Sequence, residues 1–269
     1  MAFKSKFKHY AKFITRLLVY AFFCSILVVL IFRFLPIPIT PLMVIKSTAS
    51  LFSDKRVGIE KKWVPIEEIS KPMQNSVIKA EDDKFYQHWG FDFDAIEKAM
   101  KYNKTHKKQK GASTISQQTA KNVFLWPSRN WVRKGMEVYF TLLIELLWSK
   151  ERILEVYLNV IELGSGVYGV EAAANKFFHK TDKQLTHAQA ALMAAVLPNP
   201  IKFRVDRPSA YVLKRQGKIM GRILARTAPV AVASKPSDES DEFFDLKFDN
   251  DDEEEKGGDG AVPPSPSSN

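Results

Sequence analysis

From Leu17 to Leu35 the chain reads LLVYAFFCSILVVLIFRFL, apolar except for Arg33 and long enough to cross a bilayer as one helix. No other stretch restricts the architecture as strongly, because such a run must be covered by lipid or by a large core. Five basic residues precede it (Lys4, Lys6, Lys8, Lys12 and Arg16), and no acid occurs before Asp54. The positive-inside rule therefore puts the N-terminus in the cytoplasm and everything after Leu35 on the other side. Arg33 sits near the far end, where its side chain can reach the head groups. A cleaved signal peptide is the alternative. Its first small-residue site, Ser47 to Ala49, lies well past the apolar run, with Pro36, Pro38 and Pro41 between, so a retained anchor is expected. Cys24 is the only cysteine; no intramolecular disulfide is open to the chain, and its external part must be held by a packed core.

Charge divides the remainder. From Lys235 to Asn269 there are twelve acids against three lysines, a composition that reads as a disordered acidic tail. With the whole chain at a formal +10, residues 1–234 carry +19. So basic a body favours anionic partners such as a membrane surface or a phosphate-bearing substrate, and a location outside the cytoplasm makes nucleic acid the least expected of them. The expected segments are a basic N-terminus (1–16), a transmembrane helix (17–35), a proline-punctuated membrane-proximal stalk (36–59), a mostly α-helical domain (60–226) and the acidic tail (227–269). Apolar residues recur at three and four spacing through NSVIKAEDDKFYQ, DAIEKAMKYN, STISQQTAKNVF, NWVRKGMEVYFTLLIELLW, KERILEVYLNVIEL, VEAAANKFF and THAQAALMAAVL. Few windows alternate like strands.

Within this helical pattern, three stretches can carry chemistry. A helix over 77–87 places Glu81, Phe85 and His88 at i, i+4 and i+7, with Asp82 and Asp83 pointing elsewhere and Trp89-Gly90 as its stop. A carboxylate beside an aromatic and a histidine suits proton transfer, although spacing alone favours a solvated acidic helix end. After a lysine-rich loop, a helix capped by Ser113 aligns Thr114, Gln118 and Lys121 on one face with Asn122 beside them, a set of donors that can hold a phosphate-like anion or simply face solvent. In WVRKGMEVYFTLLIELLW, Arg133 and Glu137 stand one turn apart, and Glu137 and Glu145 interrupt a strongly apolar helix.

In this order the stretches resemble the glycosyltransferase domain of the peptidoglycan polymerases (glycosyltransferase family 51). EDDKFYQHWGFD from Glu81 to Asp92, GASTISQQTAKN from Gly111 to Asn122, RKGME from Arg133 to Glu137, KERILEVYLN and GVYGVEAAANKFF match its motifs in turn. Gln189 stands where an acid is common, Thr119 replaces an aliphatic and Phe177 a tyrosine, all away from the expected catalytic positions. With only a short linker and the acidic tail expected after Arg226, the resemblance is to the monofunctional biosynthetic transglycosylases.

The resemblance implies a lysozyme-like, two-lobed helical fold at the bacterial cytoplasmic (inner) membrane, with the catalytic domain on the outer side. PITPLMVIKSTASLF is the expected membrane-dipping flank. It implies lipid II and the growing glycan chain as substrates, contact with membrane lipids, and other cell-wall synthases as partners. Glu81 is then the expected base, supported by Asp82 and His88. Lys121 and Arg133, with Lys134, neutralise the pyrophosphate, while Thr114, Gln118 and Asn122 position phosphates and sugar. Glu137 either organises these cations or holds a divalent metal (Mg2+ or Mn2+). The rival enzyme reading is a lytic glycan hydrolase, which needs no pyrophosphate site. A catalytically silent membrane scaffold is the rival outside enzymology.

Overall fold

The structure, a computed structural model, describes residues 2–52, 56–107, 109–128 and 130–227. The expected acidic tail lies outside them. The architecture is mostly α. In chain order the elements are α1 (Ala2–Phe32), α2 (Pro41–Ser50), β1 (Glu60–Lys61), α3 (Lys71–Glu81), α4 (Phe93–Thr105), α5 (Ile115–Phe124), α6 (Trp131–Leu147), α7 (Lys150–Val160), β2 (Glu162–Gly164), β3 (Val167–Tyr168), α8 (Val170–Phe178), α9 (His187–Val196) and α10 (Ala210–Thr227).

Two groups of helices form the body. In one, α3, α9 and α10 pack together; in the other, α5 packs on both α6 and α7. The sequence explains the centre of the first group, because HAQAALMAAV is apolar on nearly every side and Ala190, Ala191 and Met193 to Val196 are fully buried. Capping side chains set most starts: Ser70, Asp92, Thr114, Asn130, Ser149 and Thr186 each accept an N–H from the first turn. The few strands form one small sheet in the order β1-β3-β2, with β1 parallel and β2 antiparallel to β3.

Lys12–Phe32 within α1 is long and apolar enough to span a membrane, and its residues face outward. It fits a single-pass anchor. Its C-terminal end is gripped by the body. Trp148 donates its indole N–H to Val29 O (2.8 Å), Arg152 donates to Phe32 O (2.8 Å) and Leu35 O (2.5 Å), and Ser25 Oγ meets Tyr139 Oη at 2.8 Å. The stalk of 36–59 is likewise no free connector. Ile37 and Met43 are fully buried, and α2 packs on α5. Its opposite face shows Val44, Ile45, Leu51 and Phe52 to the outside. Lys61 donates to Ile37 O and Pro38 O, and burial pushes its ammonium down to about 8.

Candidate active site

The site begins where α3 stops. That helix ends at Glu81, four residues short of Phe85, and Asp82 already has extended backbone. Phe85 and His88 therefore stand in turns and do not continue Glu81's helical face, as the i, i+4, i+7 reading had them. The cause is tertiary. Asp82 does not point away: its carboxylate leaves the helix to accept Ile115 N of α5 through Oδ2 (3.0 Å) and to meet His88 Nε2 through Oδ1 (2.9 Å). An acid at a helix N-terminus is stabilised by the exposed N–H groups there. Asp82 and His88 thus brace α5 and the turn rather than the Glu81 carboxylate itself. Gly90, with φ +78°, lets that turn lie against α6, where a Cβ would sit 2.8 Å from Thr141 Cγ2.

Glu81 is buried, with its side chain 4% exposed, yet it lines a cleft of about 1070 Å³ together with Asp82, Lys84, Thr114, Arg215 and Arg222. Each of its oxygens has a donor: Gln118 Nε2 reaches Oε2 at 2.9 Å, and Arg215 Nη2 reaches Oε1 at 3.3 Å. Tyr157 donates its hydroxyl to Gln118 Oε1 at 3.1 Å. Burial, and next the charge of Glu81, push that phenol well above its ordinary range, so it stays a donor.

The second motif is rearranged at its start. Thr114, not Ser113, caps α5, in a reciprocal capping box with Gln117. The Thr114 hydroxyl is buried and donates to Gly90 O (2.6 Å), so it does not join Gln118 and Lys121 on a polar face. Gln118 spends its amide on Glu81 and Tyr157. Lys121 and Asn122 do line a hollow, of about 160 Å³, with Gln118, Lys46, Arg133 and Trp126. Gln118 is the partition: one end meets the base candidate of the large cleft, and the same residue walls the cationic hollow.

On α6, Glu137 is 3% exposed and takes Arg133 Nη1 at 2.9 Å and Lys134 Nζ at 2.5 Å, one on each oxygen. This arrangement organises cations. Both of its oxygens are thus engaged by positive groups. Glu145, also buried, accepts from Ser116 and Lys150, the latter at 2.8 Å.

Comparison with known proteins gives the family of the chain that carries this arrangement. The family model described as Transglycosylase matches residues 49–224. The chain belongs to the transglycosylase family. Among similar proteins, the biosynthetic peptidoglycan transglycosylase of Bdellovibrio bacteriovorus is 57% identical over 251 residues, 93% of this chain and 98% of the relative. That of Bacteroides thetaiotaomicron is 54% identical over 213 residues, 79% and 86% of the two chains. The Haemophilus influenzae protein of the same description is 53% identical over 201 residues, 74% and 82%. The match starts inside α2 and ends inside α10, so it takes in both helix groups. Two residues that sequence reasoning passed over, Arg215 and Tyr157, also meet at this site, one on Glu81 and one on Gln118. Neither carries a local signal: Arg215 is one of several basic residues in LKRQGKIMGR, and Tyr157 reads as an ordinary core aromatic of α7.

Proposed function

We propose that this protein is a peptidoglycan glycosyltransferase that polymerises lipid II into linear glycan at the outer face of the bacterial cytoplasmic membrane, held there by α1. The observation that carries this reading is the pairing of a buried carboxylate, Glu81, in an open cleft with a separate hollow walled by Lys46, Lys121 and Arg133. A hydrolase of finished glycan has use for the first and none for the second.

In the proposed reaction the 4-hydroxyl oxygen of the acceptor sugar bonds to the anomeric carbon of the lipid-linked donor. Glu81 takes the hydroxyl proton, and the bond from that carbon to the diphosphate breaks with its electron pair on the departing undecaprenyl pyrophosphate. Attack from the face opposite the leaving group inverts α to β, through a transition state with oxocarbenium character. A diphosphate leaves readily once its charge is met, so preorganised cations matter more than a general acid. Lys121 and Arg133 supply that charge, with Lys134 beside them. Glu137 keeps the last two in place. The apolar outer faces of α2 and of α6, where Leu142 and Leu146 are exposed, suit contact with membrane lipid beside the anchor.

The test is to give purified full-length protein labelled lipid II in one reaction and finished glycan in another. Lengthening products from lipid II and no shortening of the finished strands are expected. Shortening without lengthening would replace the reading with the hydrolase.

A further inference from the structure

The expected base does not stand on α3 unaided. α10 reaches it from far along the chain, and Arg215, 2% exposed, is the largest fully buried side chain of the described residues. Its Nη2 donates to both Glu81 Oε1 and Ala80 O, each at 3.3 Å. Two turns later on the same helix, Arg222 Nη1 donates to Lys79 O at 3.5 Å. These carbonyls belong to the last turn of α3, which has no further helix to satisfy it, and cations are favoured at that end of a helix. One guanidinium therefore both terminates α3 and holds the carboxylate on its last residue. From the opposite side, α5 and α7 hold the other oxygen. Tyr157 gives its proton to Gln118 Oε1, so the amide must turn Nε2 toward Glu81 Oε2.

We infer that Arg215 is a positioning residue for the transfer reaction, fixing the orientation of the Glu81 carboxylate jointly with the Tyr157–Gln118 pair. The inference rests on the reading of Glu81 as base. Both bonds leave the one Nη2, and the shorter side chain of lysine keeps the charge but draws the donor back from that point. A displacement of about 1 Å in a reacting group can cost on the order of a hundredfold in rate. The charged and titratable groups around Glu81 are Asp82 and Lys79 on its own segment, Arg215 and Arg222 on α10, and Tyr157 on α7. Gln118 on α5 is uncharged, and α9 brings only His187, in its first turn. Lys79 is paired with Asp83, and Asp82 with His88. Arg215 is thus a cation in direct contact with the base.

The experiment compares Arg215→Lys, Arg215→Met and Tyr157→Phe with the parent, full-length in detergent, for kcat and KM on labelled lipid II, with circular dichroism and melting as the folding control. Arg215→Lys is expected to fold, hold KM within about threefold and lose tenfold to a hundredfold in kcat. Arg215→Met is expected to lose at least as much in kcat with KM likewise held. Tyr157→Phe is expected to lose about threefold to tenfold in kcat. If Arg215→Met does not fold, the other two decide. A folded Arg215→Lys or Arg215→Met with kcat within twofold of the parent overturns the inference. Glu81→Gln, run alongside, separates the two levels. If it stays active, the base itself is wrong; if it is inactive while the Arg215 variants behave as the parent, only the positioning role is lost.

Discussion

Glu81, Lys121 and Arg133 were legible as residues because their chemistry and spacing survive folding, while the company they keep was not. The helix expected over 77–87 stops at Asp82, whose partner Ile115 N comes 33 residues later, a bond no local periodicity contains. Thr114 failed for the opposite reason, since the signal was present: Gln117 lies three residues after Thr114, the spacing of a capping box, and Ser116 three after Ser113 is not one. Two predictions belong here. Lys121→Ala and Arg133→Ala should each raise the lipid II concentration needed for half-maximal rate about tenfold or more. One charge-assisted bond to a diphosphate contributes roughly 1.5–3 kcal/mol, and a titration of initial rate against lipid II reads the change. Gly90→Ala should lower stability by about 1–3 kcal/mol, because φ +78° disfavours a side chain and the new methyl meets Thr141; thermal melting in detergent checks it.

At the scale of elements, most helices could be placed from caps and apolar spacing, VEAAANKFF of α8 to its end residues. What could not be read was how the stretch between anchor and body packs. Prolines and short apolar runs look alike whether they dangle or dock, and only the burial of Ile37 and Met43 distinguishes the two. Docking gives the anchor a fixed exit. Arg152 caps the end of α1 on Phe32 O and Leu35 O, and its guanidinium also lies 5.2 Å from the centre of the Trp63 ring. Arg152→Ala should cost about 1–3 kcal/mol by leaving those carbonyls without their donor. It should also speed limited proteolysis between α1 and α2 relative to cleavage elsewhere; unchanged cleavage would mean the exit is held by packing alone.

Across the whole molecule, one core joins both helix groups to the end of the anchor, since Val29 of α1, Met73 of α3, Ile144 of α6 and Val196 of α9 belong to a single buried cluster. Far from the cleft, Asp182 ties the start of α3 to the segment after α8 by accepting Ser70 N. Burial is the main cause that raises its carboxyl to about 6 from 3.8, with the nearby Glu171 adding to it. The folded form thus binds this proton more tightly than the unfolded chain, and the contribution is present at low pH and lost as pH rises through about 6. Asp182→Asn should therefore gain on the parent between pH 4 and pH 7, by up to roughly 3 kcal/mol, in melting curves taken across that range. In the proposed reaction a single carboxylate, set between the two helix groups, removes the acceptor proton. Glu81→Gln in purified full-length protein given labelled lipid II tests it most directly: a folded variant with glycan synthesis reduced at least a thousandfold is the predicted result, and synthesis near the parent rate would contradict it.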